Sequence, residues 1–140
     1  MFDYVIDTNI LMSMLISGKS QYRTILSFFR FYLPEYSLTE LDEYKDVIFN
    51  KTKFNSDELS DFIYFVFTSI SVIPNFAISK DAIKDATKIC EKVDIKDVAF
   101  VALAKDINKP LLTRDEKLYA GLKKQGFKDI MLFGDFLKQI

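Results

Sequence analysis

The sequence predicts an α/β fold, a parallel sheet with helices on both faces, and three features lead there. Short apolar runs are stopped by polar turn formers, as in Tyr4-Val5-Ile6 before Asp7-Thr8-Asn9, and read as buried strands. Longer stretches between them carry apolar residues at helical spacing. The two kinds alternate along the chain, which is the pattern of strand–helix–strand units. With 140 residues, 49% of them hydrophobic and 14 of them Phe, residues 1–140 suffice for one domain with a sizeable core.

Taken in order, Tyr4–Ile6 forms the first strand and Ile10–Ser17 a short helix ended by Gly18. Gly18-Lys19-Ser20 has the spelling of a phosphate-loop tail. The first glycine of that motif would fall at Ser13, inside a helical segment, so no such loop is read. Ser20–Tyr32 sets Tyr22, Ile25, Leu26, Phe29 and Tyr32 at helix spacing and leaves Phe28 and Phe31 over. Tyr32–Tyr36 is a second strand, placed toward an edge by Pro34, which has no N–H to donate. Ser37-Leu38-Thr39-Glu40 spells a capping box for a helix reaching about Lys53. Ser56-Asp57-Glu58 opens another, to about Ser69, with Leu59, Phe62, Ile63 and Val66 on its core face and Tyr64, Phe65 and Phe67 left over. Such leftover aromatics either thicken the core or form a patch through which the chain self-associates as a homodimer.

Ser71–Ile73 is a third strand, closed by Pro74-Asn75, and Ser79 begins a helix through Val93. Asp94-Ile95-Lys96-Asp97 opens the next helix, Val98–Ile107, which is apolar on nearly every side. Its alanines (Ala99, Ala102, Ala104) allow close approach to a sheet, so it belongs at the centre of the molecule. Lys109–Asp115 is a fourth strand ending in an acid, and Glu116–Gln125 a helix stopped by Gly126. Ile130–Phe133 makes a fifth strand, and Asp135 caps a last helical turn.

Composition excludes several chemistries. The formal net charge of −1 provides no global basic field for nucleic acid, so a polyanion must be held by local Lys and Arg or by metal. There is no His, which removes the usual general base and soft metal ligand. The single Cys90 falls on the apolar face of its helix and suits a small core residue in a reducing cytoplasm. Asp3 and the lack of a basic leader argue against a signal peptide. The longest nearly apolar run, Phe62 to Ile73, is too short to span a bilayer, so a cytoplasmic protein without membrane association is expected.

Residues just past the strands of a parallel sheet share one edge, where open α/β folds place their ligands. Asp7 and Asp115 follow the first and fourth strands, Glu40 lies in the first turn after the second, and Asp94 and Asp97 start the central helix. Converging carboxylates repel one another unless cations offset them. An all-oxygen set suits Mg²⁺ or Mn²⁺, and such a site serves metal-assisted phosphodiester hydrolysis. Singly, each acid has a plainer role: Asp94 and Asp115 as helix caps, Glu40 as the acceptor of its capping box. The set, aimed at one edge, carries the reading.

These residues resemble the PIN-domain family of small metal-dependent ribonucleases, which includes VapC-type toxins. The resemblance runs through Val5-Ile6-Asp7-Thr8-Asn9, Ser37-Leu38-Thr39-Glu40-Leu41, Asp97-Val98-Ala99-Phe100-Val101-Ala102-Leu103-Ala104 and Leu111-Leu112-Thr113-Arg114-Asp115. It implies a three-layer α/β/α fold with strand order 3-2-1-4-5. It also implies that Asp7, Glu40, Asp97 and Asp115 are an acidic tetrad for Mg²⁺ or Mn²⁺, oriented by Asn9 and Thr113, that cleaves RNA with a metal-activated water. One subgroup carries a further Asp where Asp94 stands, so Asp94 is open as ligand or cap. A toxin would have a cognate antitoxin as partner; an RNA-processing factor would not.

Arg114, Lys117 and Lys96 are candidates for RNA contact beside the acids, with a solvated charge as the plain alternative for each. A non-catalytic PIN-like module that binds RNA or protein is the second reading, favoured by the near-neutral charge. A phosphoryl-transfer or receiver-like module would need an Asp after the third strand, where Ile73-Pro74-Asn75 stands instead.

Overall fold

In a computed structural model, which describes residues 2–140, a five-stranded sheet in the order β3-β2-β1-β4-β5 forms the middle layer, and every neighbouring pair is parallel. The strands are β1 (Asp3–Ile6), β2 (Arg30–Pro34), β3 (Ile70–Ile73), β4 (Leu111–Thr113) and β5 (Ile130–Leu132). The helices are α1 (Thr8–Ser17), α2 (Gln21–Phe28), α3 (Tyr36–Glu43), α4 (Lys45–Lys51), α5 (Ser56–Ser69), α6 (Lys80–Cys90), α7 (Val98–Ile107), α8 (Glu116–Lys124) and α9 (Phe133–Gln139).

Successive strand residues point to opposite faces, and the two halves of the core divide accordingly. Ile6, Phe31, Leu33 and Leu112 face a cluster closed by α1, α2, α4, α5 and α9. Val5, Leu111 and Ile130 face the other, closed by α6, α7 and α8. Phe100, Val101, Ala102, Leu103 and Ala104 of α7 are all buried, as expected for a central helix whose small residues let it lie close on β1, β2 and β4. Cys90 is wholly buried, and burial first pushes its thiol up to about 12, so it behaves as a core hydrophobe. Gly18 ends α1 with φ 65°, a left-handed cap that suits glycine.

Several expected boundaries move. The second strand is Arg30–Pro34, and α2 stops at Phe28, because Arg30, Phe31 and Tyr32 pair with Asp3, Tyr4 and Val5. Phe31 is therefore fully buried and not a leftover aromatic, whereas Phe28 is 74% exposed. Pro34 lies in an internal strand and not at an edge. Glu35 N–H bonds to Ile73 on β3, so the N–H that Pro34 lacks would face β1, whose pairing has already ended at Val5–Tyr32.

The capping box at Ser37 does not form. The N-cap position falls two residues earlier, at Glu35, and the helix breaks at Tyr44 before α4, so Glu40 lies in the second turn of α3. Asp94 caps a short 3-10 turn, Ile95–Asp97, and Asp97 itself stands at the N-cap position of α7. Asp115 follows β4 by two residues and caps α8, while Asp135 lies in the first turn of α9, which starts at Phe133. No described helix is long and apolar enough to cross a membrane.

Candidate functional site

The order β3-β2-β1-β4-β5 reverses direction between β1 and β4, and the tips of those two strands carry the first candidate residues. Asp7 directly follows β1 and is only 8% exposed. Its Oδ2 accepts hydrogen bonds from the Thr113 hydroxyl at 2.8 Å and Asn9 Nδ2 at 3.2 Å. Asn9 and Thr113, expected to orient the acids, thus both hold Asp7. Asn9 also accepts from Arg114 N–H, which ties α1 to the end of β4. Burial first, then the charge of Glu40, raises Asp7 to about 6 against the pull of the Thr113 hydrogen bond.

Glu40 reaches the same edge from α3. Thr8 Oγ1 lies 2.7 Å from its Oε1 and 2.9 Å from the Ser37 hydroxyl. Thr8 has one proton and the carboxylate is the stronger acceptor, so Thr8 donates to Glu40 and is left to accept from Ser37. This buried relay went unread in the sequence, where Ser37 looked like a cap and Thr8 like a turn former. Burial raises Glu40, opposed by the Thr8 hydrogen bond. Thr8→Val is expected to leave Ser37 and Glu40 without their partner and to lower stability by about 1–3 kcal/mol. A urea midpoint below that of the parent, restored in Thr8→Ser, checks this; an unchanged midpoint removes the relay as a stabilising feature.

Asp97 is the electrostatic centre. It is half-buried and its carboxylate has no hydrogen-bond partner among the described residues. Burial first, then the charges of Asp7, Asp94, Glu40 and Asp115, raises it to about 7. All four other acids therefore act on this one carboxylate. Asp115 is exposed, and its Oδ1 accepts from the N–H groups of Lys117 and Leu118, both at 3.0 Å. Asp94 is exposed and accepts from Lys96 N–H at 3.0 Å. Both cap readings are thus true, and capping leaves the second oxygen of each free.

A cleft of about 430 Å³ brings together Asp94, Asp97 and Asp115 with Lys92, Lys117 and Lys124. Gly121, in mid-helix on α8, gives the cleft its shape. A Cβ there would meet Val93 Cγ1 at 2.8 Å, so only glycine lets the turn before Asp94 pack on α8. Asp7 and Glu40 lie outside the lining of this cleft. Of the candidate cations, only Lys117 enters it; Lys92 and Lys124 were not singled out, since they meet Lys117 only through packing. Arg114 Nη1 hydrogen bonds to Ser13 on α1 instead. Lys96 lines a separate cavity.

Among the described residues, no three acids stand close enough to form a ready-made metal-binding group. The donors nevertheless fit a hard divalent cation: all are oxygens, and the charge on Asp97 is held in an unfavourable, hydrogen-bond-free position that a cation would relieve.

A family model described as PIN domain matches residues 5–132. No curated protein matches the chain significantly. Among solved structures, the chain is similar to one from a toxin–antitoxin complex of Klebsiella pneumoniae, with a TM-score of 0.61 at 16% identity, over 91% of this chain and 95% of that one. At that identity the likeness concerns the fold, and it agrees with the sheet order and layers seen here. PIN domains are in general nucleases. On a match that spans both the β1 and the β4 acids, the chain belongs to the PIN-domain family.

Proposed function

We propose that residues 1–140 form a single domain acting in the cytoplasm as a Mg²⁺- or Mn²⁺-dependent endoribonuclease, with Asp7, Glu40, Asp97 and Asp115 as its acidic tetrad. The observation that carries this reading is the convergence on Asp97, where the charges of Asp7, Asp94, Glu40 and Asp115 all bear on one half-buried carboxylate. A bound Mg²⁺ or Mn²⁺ would supply Lewis acidity toward a phosphate oxygen and make water acidic enough to attack at neutral pH. The chain's own residues do the rest. Asn9 and Thr113 fix Asp7, and Thr8 fixes Glu40. Lys117, with Lys92 and Lys124 in the same cleft, neutralises substrate phosphates, which compensates locally for the net charge of −1. Arg114 and Lys96, which lie outside that cleft, serve as further phosphate contacts.

Purified protein incubated with RNA is expected to cleave it with Mn²⁺ and to leave it intact with EDTA. Cleavage that persists in EDTA would exclude the metal route. RNA binding without cleavage in any metal would instead support the second reading, a non-catalytic RNA-binding module. The similar Klebsiella pneumoniae structure is of a toxin–antitoxin complex; a cognate antitoxin encoded beside this gene is the corresponding partner here, and a processing enzyme would lack one.

Self-association as a homodimer belongs to the same proposal. Phe28, Tyr64 and Phe67 remain exposed, at 74%, 73% and 36%. Light scattering at high micromolar concentration should give twice the 16.3 kDa chain mass; a monomer mass removes the dimer.

A further inference from the structure

A second cavity, of about 380 Å³, lies on the other side of the Ile95–Asp97 turn and is lined by Tyr36, Asn75, Ile78, Ile83, Ile95, Lys96, Val98 and Ala99. The two cavities share this turn as a wall: Asp94 and Asp97 face the lysine-bearing cleft, Ile95 and Lys96 face this one. Tyr36 stands four residues before Glu40 on α3, hence on the same helix face. Its hydroxyl feels the charges of both Glu40 and Asp97. The cavity therefore adjoins the acids without containing any of them.

Its chemistry differs from that of the acidic cleft. The walls are apolar, and Ile83 and Ile95 are 39% and 58% exposed although they line a cavity. One wall is aromatic. Tyr36 is fixed edge-on against Phe100, with ring centroids 6.4 Å apart, so its ring is held in place. The lining also includes the Asn75 amide: the backbone N–H of Asn75, not its side chain, bonds to Glu35 at 3.0 Å, and the side-chain amide has no hydrogen-bond partner among the described residues. The lining includes one cation, Lys96. An open, largely apolar cavity whose lining combines an aromatic ring, an amide able to donate and accept, and a cation matches one unstacked nucleobase with its phosphate.

We propose that this cavity is a nucleobase subsite, holding the base of a nucleotide next to the scissile phosphate. Tyr36 packs on the base, Asn75 hydrogen bonds to its edge, and Lys96 contacts the adjoining phosphate. The inference rests on the nuclease reading for the position of the scissile phosphate. A single-stranded substrate then runs from this cavity, past Asp97, into the lysine-lined cleft, and these residues set base preference rather than chemistry.

Abasic scanning tests it. A fluorescently labelled single-stranded RNA octamer, and versions lacking one base at each position in turn, are bound to the protein in Ca²⁺, with oligonucleotide integrity checked on a gel. One position is expected to lose about tenfold in affinity when its base is removed, the size of one lost stack. Tyr36→Ala should lose a similar factor with the intact octamer and almost nothing more with that abasic version, while Tyr36→Phe keeps the parent behaviour. Asn75→Ala should narrow the spread of affinities among the four bases at that position, and thermal melts establish that each variant is folded.

Losses that multiply in Tyr36→Ala, or an octamer insensitive to base removal everywhere, would overturn the subsite and leave the cavity to a protein partner. Cleavage of RNA in Mn²⁺, assayed in parallel, separates that result from failure of the nuclease reading. Absence of both binding and cleavage would remove the two together.

Discussion

Asp97→Asn is expected to abolish metal-dependent cleavage, by more than about a hundredfold, while leaving the metal-free protein as stable as the parent or more so. The change keeps the side chain's shape and removes one charge from the point on which Asp7, Asp94, Glu40 and Asp115 all act. It breaks no hydrogen bond of the carboxylate, and Asn is as good as Asp at the N-cap position that residue 97 occupies. The loss should exceed the 10–100-fold typical of residues that only orient metal ligands. Asp94 supplies the control three residues away. Its carboxylate caps the 3-10 turn through Lys96 N–H, a bond that Asn can also accept. Asp94→Asn should retain cleavage, and Asp94→Ala should lower stability by about 1 kcal/mol with activity largely intact. Activity lost in Asp94→Asn and kept in Asp97→Asn would exchange their roles, and loss in both would make Asp94 a fifth member. Retention in both, in a protein whose parent cleaves RNA, would sink the acidic-edge mechanism.

The parallel sheet with helices on both faces was legible because the signals behind it are local and periodic, whereas the strand order was implied only by the family resemblance. Val5-Ile6 and Leu111-Leu112 each place one residue in either half of the core, which is why they read as unbroken apolar runs. Boundaries failed where a tertiary partner outbid a local rule. Ser37 spells a cap with Glu40, but the Ser37 hydroxyl and Glu40 Oε1 both pair with Thr8 from α1, and the helix starts two residues early. Tyr32 continued a helical spacing, yet pairing with Val5 claims it for β2, and Phe31 goes into the core with it. Nothing in the residues marks the break at Tyr44; its consequence is that α4 seats the buried Ile48 against α1.

At the site, Asp7, Asp97 and Asp115 were legible because each stands at a helix N-cap, a place that sequence can mark, whereas Glu40 lies in the second turn of α3 and was reached through its motif. The groups that position them were legible only in part. Asn9 and Thr113 sit inside the same short motifs as Asp7 and Asp115, so their role could be inferred with the motif. Thr8 and Ser37 meet across 29 positions, and the lysines at 92, 117 and 124 meet only when α8 packs on the turn before Asp94. Proximity of that kind has no periodicity, so no spacing rule reveals it.

Metal-free stability is expected to fall as pH rises from about 4 to about 7, and divalent metal should reverse the fall. Burial first holds Asp7 up to about 6, and burial followed by neighbouring charges holds Asp97 up to about 7, against 3.8 for an ordinary Asp. Between those limits the folded chain keeps protons that the unfolded chain has released, so the unfolded state binds fewer and the slope of stability with pH is negative. Below 3.8 both states are protonated and the penalty vanishes; above about 7 it is complete and the curve is flat. For the nearly buried Asp7 alone the penalty is on the order of 3 kcal/mol. A cation binds the ionised acids, so it must compete with protons at low pH and meets none at high pH. Metal at about a hundred times its dissociation constant adds roughly 2.7 kcal/mol, a rise of roughly 5–10 °C in Tm for a domain of this size. Melts at pH 5.5 and pH 8, with EDTA and with millimolar Mg²⁺ or Mn²⁺, should show the larger rise at pH 8 and its loss in Asp97→Asn. An equal rise at both pH values would mean that the metal binds elsewhere, and a metal-free Tm that increases toward pH 8 would contradict the buried, mutually repelling acids on which the site is built.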